Sequence, residues 1–279
     1  AIALVLTATV ATAQIQTPVP SPAATLTQKV GLTEVEINYN RPGKKGRDIM
    51  GALVPYGQIW RTGANGSTTI SFSDDVKVSG NDVKAGTYAL YTVPGESEWS
   101  IHLYSDLSLG GNVANYDASK EVLKFMAKPE AIDFTVESFT IDINHLRDNS
   151  AHIVLMWENT AVRFPIEVTY DEQVMSQIDR VMRNPMGQAA NNYASAATYY
   201  LDNGKDLDKA LEWIDAALEI NTRAFWYMHT KARIQLANGD KKSAIATAET
   251  SKKMASENAS GDFGYVQRND DLIKEAKGK

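Results

Sequence analysis

At 279 residues, with 43% hydrophobic residues, a net charge of −6 and no cysteine, the chain is long enough for two domains, which packing alone must hold. Disulfides, thiolate metal sites, a lipidated cysteine and a cysteine nucleophile are thereby excluded. Residues 1–170 carry 13 Lys and Arg against 18 Asp and Glu, a balance that argues against broad nucleic-acid binding, so no nucleic-acid partner is expected.

Residues 1–10 carry no charge, and Ala11-Thr12-Ala13 before Gln14 has the small-x-small form accepted by signal peptidase. Residues 1–13 therefore read as the remnant of a secretory signal, and the protein is expected to be exported, periplasmic or secreted, in a Gram-negative bacterium. A membrane span needs about 20 apolar residues. Gln14 and Gln16 interrupt too soon, so no transmembrane anchor is expected in the mature chain. Residues 14–28 read as a flexible N-terminal segment.

From 29 to 170, short runs of alternating apolar residues recur between turn signals, the pattern of antiparallel sheet. Val35, Ile37 and Tyr39 make one buried face; Ile70 with Phe72 and Val76 with Val78 make the next two. Gly80-Asn81 is a hairpin signal before Val83. Tyr88, Leu90 and Val93 follow, then Trp99, Ile101 and Leu103, then Phe134 with Val136, and Phe139, Ile141 and Ile143. Ile153, Leu155 and Trp157 precede a last run of Val162, Phe164, Ile166 and Val168. Some nine or ten strands at this spacing predict an all-β domain, an antiparallel β-sandwich or a jelly roll.

Residues 171–279 are rich in Ala, Leu, Lys and Asp at helical spacing and predict an all-α domain. Leu201, Asn203 and Gly204 align with Leu236, Asn238 and Gly239, and Ala210 with Ala244, a period of 34 to 35 with one residue of drift in the loop from Lys205 to Asp208. This resembles the tetratricopeptide repeat. A lead helix from Glu172 to Arg183, stopped at Asn184-Pro185, and a last helix from Tyr265 to Lys277 are expected to cap two repeats.

Familiar site motifs are absent. No Gly-x-Ser-x-Gly, His-Glu-x-x-His, Walker loop or strand-borne Gly-x-Gly-x-x-Gly occurs, so no cofactor is expected. The run from Asp202 to Asp208 lacks the Glu that would complete a calcium loop. Of the four His, His102 alternates with core residues and faces away from them, His145 and His152 flank a polar turn, and His229 lies within a repeat helix. No metal site is expected.

Against the acidic background, Arg41, Lys44, Lys45, Arg47 and Arg61 are opposed only by Asp48 in residues 41–61. A planar guanidinium grips carboxylate, phosphate or sulfate through two parallel hydrogen bonds. Trp60-Arg61-Thr62-Gly63-Ala64-Asn65 carries two turn signals, Gly63 and Asn65-Gly66. Equally, each Arg could pair with an acid of its own sheet, and Trp60 could be core. Taken with Thr68–Phe72, Gly86–Pro94, Tyr39-Asn40-Arg41-Pro42, Arg47 and Trp157, this loop resembles the family designated domain of unknown function 2911 (DUF2911), found largely in Bacteroidetes. The likeness covers roughly residues 25–168. Gly66 and Lys124 stand where the family pattern has an acid and an Arg, and Glu121 where it has Asp. The resemblance implies no activity. Because Arg41, Pro42, Arg47 and the Trp60–Asn65 run coincide with the family pattern, the resemblance adds weight to a site, with internal ion pairs still open.

The residues expected at a ligand site are Arg41, Arg47, Trp60, Arg61, Asn65 and His102; no catalytic residue is assigned. Three functions are compatible with these features. In the first, an exported binding protein holds an anionic small molecule or glycan in its β-domain and a protein partner on its helical repeats. In the second, a jelly-roll hydrolase or isomerase uses His102, Tyr116, Asp117 or Glu121 with Arg61 as clamp. In the third, a structural envelope protein has no ligand.

Overall fold

The computed structural model describes residues 17–184 and 189–278. The signal remnant over 1–13 and the helix stop at Pro185 lie outside the described residues. Backbone contacts divide the chain after Tyr170 into two units.

In the first unit, β1 (Ala23–Val30), β2 (Thr33–Asn40), β3 (Thr69–Phe72), β6 (Gly86–Val93), β7 (Trp99–Tyr104) and β8 (Glu121–Ala127) form an antiparallel sheet in the order β1-β2-β3-β6-β7-β8. β4 (Val76–Val78), β5 (Asn81–Val83), β9 (Pro129–Asn144) and β10 (Ser150–Val168) form a second, in the order β5-β4-β10-β9. Alternation puts Ile37, Ile70, Leu90 and Ile101 of the first sheet and Ile153, Leu155, Phe164 and Ile166 of the second into one buried cluster. The layout is a sandwich of two facing sheets, and each such side chain stabilises it by about 1.5–3 kcal/mol.

Several details differ from the sequence reading. Residues 23–28, assigned to a flexible segment, belong to β1, paired along its whole length with β2. The β4–β5 turn is Ser79-Gly80 rather than Gly80-Asn81, because Val78 pairs with Asn81; Ser79 and Gly80 both have positive φ, 49° and 80°, as a two-residue hairpin turn requires. The four short runs from Phe134 onward merge into the long strands β9 and β10, with register shifts on either side of Glu158 that absorb the breaks in alternation. Phe134, expected on the core face, is 56% exposed.

The first sheet is not wet on its outer face throughout. β7 is buried along both faces. Ala89, Tyr91 and Tyr104 lie outside the main core, covered by Ile59 and by Leu109, Val113 and Tyr116 of the β7–β8 loop, residues 105–120. Tyr91 Oη donates to Gly110 O at 2.8 Å, and Tyr104 Oη accepts from Asp117 N at 3.1 Å, fastening that loop to the sheet.

The second unit consists, in its described residues, of six helices: α1 (Asp171–Met182), α2 (Ala190–Asp202), α3 (Leu207–Ile220), α4 (Phe225–Ala237), α5 (Lys241–Ser256) and α6 (Tyr265–Ala276). α2–α3 and α4–α5 are equivalent pairs. Asn203 and Asn238 cap α2 and α4, followed by Gly204 and Gly239 at φ 60° and 84°. Asp206 and Asp240 then cap α3 and α5, and Ala210 and Ala244 are fully buried one turn on. The extra residue falls in the loop before Asp206. No described helix is long and apolar enough to cross a membrane.

Candidate functional site

The loop from Trp60 to Asn65 is shaped by backbone strain held in place by hydrogen bonds. Trp60 forms an antiparallel bridge with Thr92 (N···O 2.7 and 2.9 Å). Its indole enters between the sheets, nearly parallel to Trp157 (centroids 5.9 Å, 18°) and edge-on to Phe139 (5.1 Å) and Trp99 (6.4 Å), while Nε1 donates to Gly63 O at 3.1 Å. Thr62 has φ 54°, an outlier for a β-branched residue. Its hydroxyl donates to Trp60 O at 3.3 Å and sits 3.1 Å from Thr92 Oγ1, and its carbonyl accepts from Thr68 Oγ1 at 2.6 Å. Gly63 follows at φ 152°, where a Cβ would meet Thr68 Oγ1 at 2.9 Å and Asn40 O at 3.1 Å. Asn65 adds φ 60°. Such conformations cost on the order of 1–3 kcal/mol each and persist where the surroundings over-determine them.

This loop walls a concavity of about 390 Å³. Lys45, Arg47 and Arg61 bring three positive charges to it, Trp60, Trp157, Leu53 and Val54 supply apolar surface, and among the described residues no carboxylate lines it. Arg47 wraps its own turn, Nε donating to Lys44 O at 3.0 Å and Nη2 to Gly43 O at 2.6 Å. Arg61 Nη1 donates to Asn65 O at 3.2 Å, and the guanidinium lies over Gly111. Among the described residues neither Arg is in an ion pair; Lys44, by contrast, pairs with Glu158 at 3.2 Å. Glu137 accepts Lys45 N–H at 2.7 Å. The two guanidiniums are thus positioned by neutral carbonyls.

Three of the six expected residues, Arg47, Trp60 and Arg61, line this concavity. Arg41 does not: its Nε donates to Phe139 O at 3.1 Å and Nη2 to Thr140 Oγ1 at 2.8 Å, bracing the end of β2 to β9. Asn65 supports the loop from behind, its Nδ2 donating to Ser21 O at 3.3 Å. Lys45, in the basic run but not among the expected residues, does line it.

His102 belongs to a different cluster, on the outer face of β7. It faces away from the main core but is 3% exposed, closed over by the 105–120 loop, whose Tyr116 ring packs edge-on to it. Nδ1 is 2.9 Å from Glu121 Oε1 and 3.0 Å from Tyr116 Oη; Tyr116 Oη donates to Glu121 Oε1 at 3.0 Å, and Nε2 is 2.8 Å from Ser100 Oγ. Glu121 reaches this face because pairing slips between Leu103 and Tyr104, so that Glu121, not Val122, lies opposite Tyr104. Loss of hydration holds the His102 imidazole below its ordinary range, with Glu121 opposing, and pushes the Tyr116 phenol far up, Glu121 adding to it. Asp117 turns away to cap a 3₁₀ turn through Ser119 N at 2.9 Å. The remaining His make no such cluster: the His145 ring packs at a tilt against His152 (centroids 5.1 Å, 39°), and His229 Nδ1 meets Asn269 Oδ1 at 2.9 Å. Among the described residues no group of three or more His, Asp or Glu is placed to hold a metal ion.

A two-sheet sandwich with a strained loop over a cationic concavity, followed by paired helices, defines the class as a β-then-α protein of two units. The chain belongs to the family described as protein of unknown function (DUF2911), whose model matches residues 21–166. The match spans the sandwich and stops short of the helices. No curated protein and no solved structure matches the chain.

Proposed function

We propose that the sandwich binds a small organic anion, an acidic sugar or a peptide carboxylate, in the concavity beside Trp60. The observation that carries this reading is the meeting of Lys45, Arg47 and Arg61 on a concave surface that no carboxylate among the described residues lines, in a chain of net charge −6. Arg61 and Arg47 supply forked donors, Lys45 a mobile charge, and the edge of Trp60 an apolar wall for a carbon skeleton. The paired helices, tetratricopeptide-like in period, would hold a protein partner, and the uncharged leader with Ala11-Thr12-Ala13 supports work outside the cytoplasm. Expressed in a Gram-negative host behind a complete signal, the mature chain should start at Gln14, and recovery of the uncleaved form in the cytoplasm would remove that last element.

Calorimetric titration of glucuronate, sulfate, phosphate and a dipeptide into the whole protein tests the site. Arg61→Ala and Arg47→Ala should each weaken the best of these by about tenfold to a hundredfold, the worth of one charged hydrogen bond at roughly 1.5–3 kcal/mol. Affinity should fall with added salt. If none binds the parent and Arg61→Ala melts many degrees lower, the loop is a structural brace and the reading fails.

A further inference from the structure

The outer face of β7 carries a hydrogen-bonded chain that the anion reading does not use. Ser100 and His102, two apart on one strand, project to the same side, and Ser100 Oγ is 2.8 Å from His102 Nε2. Behind the ring, Nδ1 is 2.9 Å from Glu121 Oε1, an oxygen that also accepts from Tyr116. With an ionised Glu121 accepting from Nδ1–H, only Nε2 is left to accept, and it faces the Ser100 hydroxyl. A hydroxyl, an imidazole and a carboxylate joined in this order are the parts of an activated serine nucleophile.

We propose that Ser100, with His102 as its base and Glu121 as the group positioning His102, is a nucleophile that accepts acyl groups from small esters. None of the three lines the cationic concavity, so this inference does not rest on the anion reading. Ser100 stands at the margin of the aromatic cover. It is 8% exposed, and the residues flanking it on this face are half-buried Val93 on β6 and Met126 on β8, itself 49% exposed. Short apolar acyl chains fit that surface. Lys124, paired opposite His102 and near enough to lower its proton affinity, puts a positive charge on the same face for the anionic tetrahedral intermediate.

The step balances without any further reagent than water. Ser100 Oγ attacks the ester carbonyl carbon as its proton passes to Nε2. The tetrahedral intermediate collapses, the bond to the alcohol oxygen breaks, and Nε2–H protonates the departing alkoxide. Water, deprotonated by the same nitrogen, then attacks the acyl-serine and releases the acid and the free hydroxyl.

Labelling of the whole protein with a fluorophosphonate, which phosphonylates activated serines, decides the matter. One phosphonyl group per chain is expected, located on Ser100 by peptide mass spectrometry and lost in Ser100→Ala. His102→Gln should slow labelling by about a hundredfold or more, the usual worth of a positioned base. The rate should rise with pH through the titration of His102, and Glu121→Gln should shift that midpoint to lower pH, since the carboxylate is what holds the imidazole's proton affinity up. A merely structural Glu121 would leave the midpoint in place. Absence of label on Ser100 in the folded parent overturns the proposal whatever the variants do, as does labelling that His102→Gln leaves unchanged.

Discussion

A Cβ placed on Gly111 would fall 1.5 Å from Arg61 Nη1, so the absence of a side chain there is what lets the guanidinium lie along the β7–β8 loop. The backbone at Gly111 is not in the left-handed region, which leaves space as the only constraint. Gly111→Ala should therefore push the flexible end of Arg61 aside at little cost to folding, within about 0.5 kcal/mol as for ordinary surface changes. Anion affinity should drop toward that of Arg61→Ala while the melting temperature holds. A variant that binds as the parent does would show that the guanidinium's resting place is irrelevant to the site. At this scale sequence reads unevenly. Gly63 and Asn65 announce a turn by residue type, but Thr62 at φ 54° is contrary to its own preference and depends on Thr68 and Thr92, which nothing local reveals. Arg41 and Arg61 are alike on paper. What separates them is that Phe139 O and Thr140 Oγ1, about a hundred positions downstream, take up the first. His102 pointing away from the core was legible from alternation, whereas its burial beneath residues 105–120 was not, because a long loop without periodic pattern gives no hint of where it lies.

Among the elements, those with one apolar and one polar face were the easiest to read. β2, β3 and β7 follow strict alternation on the core side. β8 turns Val122, Lys124 and Met126 outward and Leu123, Phe125 and Ala127 inward, so only one lysine marks its outer side and the period is weak. β1 has only Ala24 and Leu26 packed against the core before Val30, too weak a signal ahead of Gly31 to stand apart from a loose leader. In the helical unit the repeat alignment locates equivalent parts, and this gives a paired expectation. Asp206 accepts from Lys209 N at 2.9 Å and Asp240 from Ser243 N at 3.0 Å, the same cap in each pair. Asp206→Ala and Asp240→Ala should each cost about 0.5–2 kcal/mol of stability in urea denaturation, and by similar amounts. Markedly unequal losses would mean that the two pairs share a period without sharing their mechanics.

For the whole molecule, acid should act in two stages. His102, His152 and His229 are all held below the ordinary imidazole range, chiefly by loss of hydration, so they stay neutral in the folded chain where the unfolded chain, with imidazoles near 6.5, already takes up protons. Their contribution to stability is complete above about pH 6.5 and is lost as pH falls from there through their lowered folded values. Asp75, Asp117, Asp171 and Asp240 are lowered by hydrogen bonds from neighbouring groups and keep their contribution until pH drops below about 4. Urea midpoints at pH 7.5, 6 and 5 should already decline before the range of these four aspartates is reached, and His102→Gln should flatten that decline. A midpoint constant down to pH 5 would contradict the burial of these rings. The five Trp also divide by unit, Trp60, Trp99 and Trp157 in the sandwich and Trp213 and Trp226 in the helices. Trp60 and Trp157, nearly parallel at 5.9 Å, are close enough for their ultraviolet transitions to couple, and both border the cationic concavity. Filling that space changes the surroundings of a coupled chromophore, so near-ultraviolet dichroism can follow its occupancy without a label.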